Sequence, residues 1–409
     1  MRRSVFYGWR VVGACFVIAF FAWGLGLFGA SVYLQAVTAV HGWPVSEVSS
    51  AITLFFLVSA CVQRTVGRSI DRFGPRPILL IGAVSLGAGV ALIGQASAMW
   101  QLFPCFVLIG LGWSTLSTTG ISATVAPWFE RHQGRSMTLA IMGASVGAII
   151  GVPMLLFVLE RLGLEGGLLA TGLFAIAVLL PLIGLVLRYR GPGDLGLSRD
   201  GDDALPGDAG SPTLAHAAIT GRPRVLLWSA TAGFALALLV QIGFITHHVA
   251  LVQPLLGLAG AGLLVSATGV TAFVGRLVLA SIVDRVDVRW LACAVMVAQT
   301  LALAALSIYP TAAVMIAASL VYGYGIGHVT TLGPVVVRRE FGAQAFGSTY
   351  GSAATVIQLT SAFGPAAFGV LRDRFGGYDA ALALAAGITA LACLALLIGG
   401  QIGRTDART

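Results

Sequence analysis

The chain carries GRSIDRFGPR at residues 67–76, and a second stretch, SIVDRVDVR at residues 281–289, repeats its charge pattern in the other half. In both stretches, Asp-Arg is followed by another arginine five residues after the aspartate: Asp71 precedes Arg76, and Asp284 precedes Arg289. Each stretch comes directly after a long apolar segment. The chain therefore holds two copies of one arrangement, which predicts a fold made of two matched halves.

Apolar segments occupy most of the 409 residues. Hydrophobic residues make up 57% of the chain and charged residues only 10%, whereas a soluble domain carries roughly 25% charged residues. A helix of about 20 apolar residues crosses the hydrocarbon core of a bilayer, and backbone without hydrogen bonds cannot lie in lipid. Twelve membrane helices are predicted, near residues 11–37, 46–68, 78–96, 101–127, 136–159, 167–188, 225–251, 258–283, 290–308, 312–337, 346–371 and 378–401.

The distribution of arginine indicates the orientation in the membrane. All 24 basic residues are arginine, because the chain has no lysine. With the N-terminus in the cytoplasm, nineteen of them fall in segments on that side, and only Arg161, Arg372 and Arg374 fall on the other. Since basic residues concentrate in cytoplasmic loops, both termini are predicted to be cytoplasmic. Membrane topology also accounts for the net charge of +8, so no nucleic-acid partner is expected.

A polar break separates the two halves. Residues 189–224 hold five aspartates among glycines and prolines, which is typical of a flexible linker. The predicted fold is an all-α membrane protein with a six-helix bundle over 1–188, a cytoplasmic linker over 189–224 and a second six-helix bundle over 225–409. The apolar run near 11–37 is too long for the core of a cleaved signal peptide, and we interpret it as the first membrane helix.

The repeated arrangement resembles the major facilitator superfamily, whose signature between helices two and three is similar to residues 67–76, with a weaker copy at 284–289. The resemblance covers the whole chain except the linker. It implies a transporter in which two bundles rock around a site near the middle of the membrane. It also implies a conformational-switch loop that stabilises the state closed to the cytoplasm. The residues of that loop are Gly67, Asp71, Arg72, Arg76, Asp284, Arg285 and Arg289.

A narrower resemblance is to the monocarboxylate porter and oxalate/formate antiporter branch of that superfamily. It rests on short stretches at residues 7–10 (YGWR), 42–46 (GWPVS), 128–131 (WFER), 275–276 (GR), 364–365 (GP) and 373–378. Relatives in this branch often add a lysine in helix one or eleven, whereas this chain has Gln358 in the middle of helix eleven. The resemblance implies a small organic anion, in the first place a monocarboxylate, as the substrate.

No aspartate or glutamate lies deep in a predicted helix, but Arg276 does. It lies eight residues before Asp284, or about 12 Å along a helix from the inner membrane surface. A charge at this depth is costly and indicates a function. A guanidinium can hold a carboxylate through two hydrogen bonds, so Arg276 is predicted to bind an organic anion. The alternative is that it snorkels to the interface or bonds backbone carbonyls.

Five milder polar residues complete the predicted substrate site: His328, Gln358, Tyr33, Gln241 and His247. His328 follows three glycines in helix ten and could donate to an anion or carry a proton; a structural hydrogen bond to a neighbouring helix is the alternative. His247 lies near the outer end of helix seven, where an interfacial position is the alternative, and Gln241 lies about two turns deeper.

Helix five carries Gly143, Gly147, Gly151 and Pro153. A spacing of four places the glycines on one helix face, which lets another helix approach closely. In transporters of this type, the resemblance implies that such a face packs between the two halves and moves during the cycle.

Other classes of protein are less consistent with the sequence. A membrane enzyme should show a paired nucleophile and base or metal-ligand spacing, and a receptor should carry a sizeable soluble domain. Within transport, efflux of a drug-like solute is the alternative and would call for a buried carboxylate. The expected partners are the organic anion, the lipid bilayer, and either protons or a counter-anion. No cofactor is expected, and the predicted state is a monomer in a bacterial inner membrane.

Overall fold

The computed structural model describes residues 6–201, 224–283 and 285–405, and every regular element in these ranges is helical. The chain divides into two compact units. The first unit consists of residues 1–43 and 54–210, and the second consists of residues 44–53 and 211–409. One helix, α3, is therefore shared, because its first turns belong to the second unit and its remainder to the first.

Eight α-helices are described up to residue 201. They are α1 (Tyr7–Phe21), α2 (Gly29–His41), α3 (Val45–Phe73), α4 (Pro75–Ile93), α5 (Leu102–Leu116), α6 (Thr118–Val125), α7 (Gln133–Val146) and α8 (Val152–Val186). Two π-helical segments, Ala22–Leu27 and Gly147–Gly151, lie between α1 and α2 and between α7 and α8, and the two segments contact each other. Short 3-10 helices cover Met99–Gln101 and Ala126–Trp128.

The second unit contains five long or medium helices in its described part. They are α9 (Arg224–Ile282), α10 (Val288–Ile308), α11 (Ala312–Ala362), α12 (Gly364–Phe375) and α13 (Asp379–Thr405). Apolar side chains from α9, α10, α11 and α13 form its core, with Phe234, Met296, Leu332 and Leu396 all buried. Burial of such side chains contributes roughly 1.5–3 kcal/mol each relative to exposure in water, while the outer faces of the helices remain apolar for lipid.

Ten spans in the described residues are long and apolar enough to cross a membrane. Two of them are far longer than one crossing needs: residues 133–186 and 225–282 comprise 54 and 58 residues. Each is interrupted by one glycine with a positive φ of 71°, at Gly163 and Gly257. Glycine adopts this conformation at little cost, so single residues replace the loops that the sequence predicts between helices five and six and between helices seven and eight.

Left-handed glycines recur at matching places in the two repeats. Gly42 and Gly257 are 215 residues apart, and Gly163 and Gly376 are 213 apart. The second spacing equals the 213 residues between Asp71 and Asp284. Because residues with a Cβ rarely adopt this conformation, equivalent turns in both halves use glycine.

Two regions differ from the sequence prediction. Helix α11 continues through residues 338–345, where a loop is predicted, because this stretch has no proline and is rich in residues that favour helix. The first part of the predicted linker is also folded, with 3-10 helices at Pro192–Leu195 and Arg199–Gly201. The remainder of the linker up to residue 223 lies outside the described residues.

Candidate substrate-binding site

Arg276 lies in the second half of α9, and its side chain is half-buried. Its Cγ atom packs against Gly327 of α11, where an added Cβ would come within 2.8 Å of it. The same Cβ would come within 2.4 Å of the Ala272 carbonyl oxygen. The absence of a side chain at Gly327 therefore lets α11 approach α9 closely enough to fix the stem of the arginine.

His328 occupies the next position on α11 and is only 1% exposed. Its ring lies against Gly275, where an added Cβ would be 3.1 Å from both Nδ1 and Cε1. Nδ1 donates to the Tyr324 carbonyl at 2.9 Å. Since a carbonyl only accepts, Nδ1 carries the proton and Nε2 of the neutral ring is an acceptor. Gly275-Arg276 and Gly327-His328 thus interlock at one crossing of α9 and α11.

Gln241 lies in the first half of α9 and is 2% exposed. Its side-chain oxygen has no hydrogen-bond partner within the described residues, and the same is true of the Thr246 hydroxyl. A buried polar atom without a partner costs about 1–3 kcal/mol. Among the described residues, Gln241 and Thr246 therefore each keep one unused hydrogen-bonding group on α9.

His247 is completely buried near the middle of α9. Its Nε2 lies 3.0 Å from the Pro365 carbonyl and 3.3 Å from the Ser49 hydroxyl, and its Nδ1 lies 2.9 Å from the Tyr378 hydroxyl. The carbonyl requires the proton on Nε2, so Nδ1 accepts from Tyr378. Ser49 donates to the Val45 carbonyl at 2.6 Å, which leaves its oxygen to accept from Nε2. Protein groups therefore occupy both ring nitrogens.

Ser46 and Asp373 form a second contact beside this cluster. The backbone N–H of Ser46 donates to Asp373 at 2.7 Å, and Asp373 also accepts from Arg372 at 2.9 Å. Two turns further along α3, the Thr53 hydroxyl accepts from the backbone N–H of Ala366 at 3.1 Å. Within the second unit, the first turns of α3 are therefore fixed to α12 by backbone and side-chain hydrogen bonds.

Two further residues of the predicted site lie on other helices, Tyr33 on α2 and Gln358 on α11. Tyr33 is buried, and its hydroxyl donates to the Leu25 carbonyl of the first π-helical segment at 2.8 Å. The hydroxyl hydrogen of Tyr33 is therefore used within the first unit. Gln358 is exposed on α11. No group of three or more histidine, cysteine, aspartate or glutamate side chains suited to a metal ion occurs within the described ranges.

The turn at residues 67–76 joins α3 to α4 through Gly74, which has a φ of 84°. Arg190 donates to the Phe73 carbonyl at 2.9 Å and covers Gly74, so an arginine from the linker satisfies the end of α3. The predicted switch residues of this copy lie at the surface. Gly67 faces open space, and Asp71, Arg72 and Arg76 are exposed. The hydrogen bond at this turn is made by Arg190, which lies outside the predicted switch loop.

The second copy of the loop is arranged differently. Asp284 lies outside the described residues, and Arg285 is exposed in the turn before α10. Arg289, predicted as a loop arginine, is instead buried in the first turn of α10, where it forms an ion pair with Glu340. It also donates to the Leu226 and Leu396 carbonyls at 2.9 and 2.7 Å. Arg289 is the second residue of α10, so its side chain projects from the helix into the core of the second unit.

The glycines predicted as a packing face lie against α1 and its π-helical continuation. A Cβ at Gly143 would come within 1.9 Å of the Phe16 carbonyl oxygen, and one at Gly147 within 2.5 Å of the Phe20 carbonyl oxygen. A Cβ at Gly151 would lie 3.4 Å from the Gly24 Cα, which is ordinary van der Waals contact. Pro153 follows in the first turn of α8. The contact is within the first unit.

The sequence analysis did not identify an anchor for the linker. Asp200, whose carboxylate is 3% exposed, accepts from the backbone N–H groups of Glu130, Arg131 and His132 at 2.9–3.2 Å. Its Oδ1 also lies 3.1 Å from the His132 ring. Asp200 is the one described non-glycine residue with a positive φ, at 63°. The only sequence signal was an aspartate in a loop, which has no distinguishing pattern.

Sequence comparison connects this arrangement with known proteins. The family model of the Major Facilitator Superfamily matches residues 13–365. Monocarboxylate transporter 13 of Bos taurus is 25% identical over 387 residues, which are 93% of this chain and 86% of the relative. The oxalate:formate antiporter of Oxalobacter formigenes is 27% identical over 161 residues, which are 39% of this chain and 38% of the antiporter.

Comparison with solved structures supports the fold. The crystal structure of a point mutant of the nucleoside transporter NupG matches with a TM-score of 0.75 over 96% of this chain and 99% of that chain. The sequences are only 13% identical, so this likeness shows the fold alone. The relatives and the fold neighbour are membrane transporters and not enzymes. The chain therefore belongs to the Major Facilitator Superfamily and is a membrane transporter.

Proposed function

We propose that the protein is a secondary active transporter that carries a small organic anion, in the first place a monocarboxylate, across the bacterial inner membrane by alternating access. Its relatives include proteins named as monocarboxylate transporters and as an oxalate:formate antiporter. The observation that carries the proposal is the position of Arg276, a cation on a membrane-spanning helix whose stem is fixed by Gly327. A guanidinium at this depth can hold one carboxylate through two hydrogen bonds.

The chemistry of Arg276 favours a monocarboxylate. A planar guanidinium matches one carboxylate with two parallel hydrogen bonds. The chain has no lysine to add a second positive ligand, which favours a substrate with one negative charge over one with two. Gln241 supplies an amide on the same helix that can bond a hydroxyl or carbonyl of the substrate.

Twelve crossings with both termini in the cytoplasm belong to this proposal. The interruptions at Gly163 and Gly257 support it, because each lies near the middle of a span long enough for two crossings. The distribution of arginine supports the orientation. Cysteine-accessibility labelling at Leu162→Cys, an exposed position beside the Gly163 turn, and at Gly193→Cys should react from opposite sides of the membrane. Reaction from the same side would contradict this topology.

A binding screen tests the choice of substrate. We expect lactate, pyruvate or another small monocarboxylate to raise the unfolding temperature of the purified protein, because a ligand that binds the folded state stabilises it. Arg276→Ala should remove this stabilisation. Arg64→Ala, which replaces an exposed arginine on α3, should retain it. Stabilisation by monocarboxylates that persists in Arg276→Ala would contradict the assignment.

A further inference from the structure

A cavity of about 490 Å³ lies between α10 and α11, and Arg276 is not among the residues that line it. Its walls include Leu291, Val295 and Ala298 of α10, with Val321, Tyr324 and His328 of α11. All of these except Tyr324 and His328 are purely apolar. The volume falls within the range of about 300–1,000 Å³ that is usual for small-molecule sites.

The cavity opens on the surface that faces hydrocarbon. Helices α10 and α11 both lie in apolar spans suited to a membrane. Of the apolar side chains that line it, Val321 is 45% exposed. An occupant of such a cavity is therefore supplied by the bilayer, and its greater part must be hydrocarbon.

The cavity wall contains a hydrogen-bond acceptor, the Nε2 atom of His328. His328 is 1% exposed and its Nδ1–H is used by the Tyr324 carbonyl. Its Nε2 is then an acceptor, and the ring forms part of the cavity wall. A ligand that brings a hydroxyl hydrogen into the cavity can donate it to this nitrogen.

We propose that the cavity binds a fatty acid in its protonated form, taken from the bilayer, with the hydrocarbon chain along Leu291, Val295 and Ala298 and the carboxyl O–H donating to His328 Nε2. Burial of a carboxyl group in hydrocarbon favours its neutral form, which keeps the donor hydrogen in place. This ligand is distinct from the transported anion. It contacts the turn of α11 beside Gly327, against which Arg276 packs.

Three probes of equal chain length test the requirement for a donor. Binding of radiolabelled dodecanoic acid is measured on the purified full chain in saturated phosphatidylcholine nanodiscs, with empty nanodiscs as the blank. Dodecanoic acid and dodecanol should compete, because each carries a hydroxyl hydrogen. Methyl dodecanoate, which has no donor, should compete at least tenfold more weakly. Equal competition by the ester would overturn the assignment of His328 as the acceptor.

Matched variants locate the site. Ala298→Phe fills the cavity and should remove binding, whereas Val297→Phe, at the neighbouring exposed position, should not. His328→Phe keeps an apolar ring, so the acid and the ester should then compete equally. Arg276→Ala should bind dodecanoic acid as the wild type does. Loss of binding in Arg276→Ala would mean that the acid occupies the transport site, and unchanged binding in Ala298→Phe would place it elsewhere; either result refutes the proposal.

Discussion

Arg289 is the clearest case in which a single side chain organises the second unit. The side chains of Arg289 and Glu340 are 8% and 14% exposed, and the guanidinium also donates to carbonyls of α9 and α13. The arginine thereby joins its own helix to three others. Removal of one partner from a buried ion pair leaves the other charge uncompensated.

We expect Arg289→Met to destabilise the protein by about 3–5 kcal/mol, because Glu340 then remains buried without its cation. Thermal unfolding in detergent measures the change. Arg285→Met, at the exposed arginine four residues earlier, is the control and should unfold at the wild-type temperature. A double variant with Glu340→Gln should recover part of the loss. Equal unfolding temperatures for Arg289→Met and Arg285→Met would refute this role.

Arg276 and Arg289 also show what a sequence can say about single residues. The depth of Arg276 follows from counting along one helix, so its position in a membrane span could be predicted. The surroundings of Arg289 depend on carbonyls 63 residues before it and 107 after it. No local pattern contains such partners, and the prediction of a loop arginine followed from the repeat alone.

Among the helices, the contact of α7 with α1 depends on glycines at which the backbones touch. We expect Gly143→Ala to lower stability by about 1–3 kcal/mol, since its Cβ would overlap the Phe16 carbonyl oxygen and the helices must separate. Gly134→Ala on the same helix meets nothing within 4 Å and serves as the control. Thermal unfolding of both variants is the measurement. A Gly143→Ala protein that unfolds at the same temperature as Gly134→Ala would show that α1 and α7 have room for a methyl group at this contact.

The anchor at Asp200 gives a pH-dependent prediction. Burial raises the pKa of Asp200, but the three backbone N–H groups and His132 together lower it more, so the net pKa lies below its ordinary value of 3.8. The stabilisation is therefore complete above pH 3.8 and is lost as the pH falls through the lower folded value. The protection of the amides of residues 130–132, expressed as the unprotected exchange rate at each pH divided by the observed rate, should fall on acidification over that range.

Asp200→Asn should accelerate the same exchange at neutral pH on the order of tenfold, because a hydrogen bond to a charged acceptor contributes about 1.5–3 kcal/mol. Asparagine tolerates the positive φ, so the backbone conformation is kept. Glu160→Gln, at an exposed carboxylate of the first unit, should leave the exchange unchanged. Slow exchange in Asp200→Asn would mean that the loop is held by other contacts.

The short stretches behind the branch resemblance prove to be contact partners. Trp9 from the first stretch packs on Phe129 from another at 4.9 Å between ring centroids, and Tyr7 packs on Trp128 at 5.4 Å. Ser46, from the stretch at 42–46, donates a backbone hydrogen bond to Asp373, from the stretch at 373–378. The sequence could identify each stretch and, through them, the family. It could not pair them, because contacts over 120 or 327 residues depend on the whole fold.

For the whole molecule, composition and apolar length were sufficient to predict a polytopic helical membrane protein, and the family indicated by the repeated motif is confirmed. The breaks between helices were predicted less well. A turn made by one left-handed glycine, such as Gly163 or Gly257, leaves almost no polar residues to mark it. Conversely, the polar stretch after Arg338 looks like a loop in sequence, yet its backbone continues α11.

The membrane spans suggest how transport is coupled. The acidic residues of the described helices lie near helix ends, beside the interruption at Gly163 (Glu160 and Glu165) or between two apolar spans (Glu340). On the proposed topology, these helices therefore supply no carboxylate that could carry a proton through the membrane centre. We expect exchange of anions: internal substrate should stimulate uptake into liposomes, and an imposed pH gradient alone should not drive accumulation. Accumulation driven by the pH gradient without internal anion would contradict exchange and direct attention to His247 and His328.

Uptake of a radiolabelled monocarboxylate into proteoliposomes tests the central claim about Arg276 most directly. The account predicts that Arg276→Lys, which keeps the charge but loses the planar two-bond geometry, falls to the rate of protein-free liposomes. Arg64→Lys should transport at the wild-type rate, and matched unfolding temperatures would show that both variants are folded. Wild-type uptake by Arg276→Lys and Arg276→Ala would contradict the account.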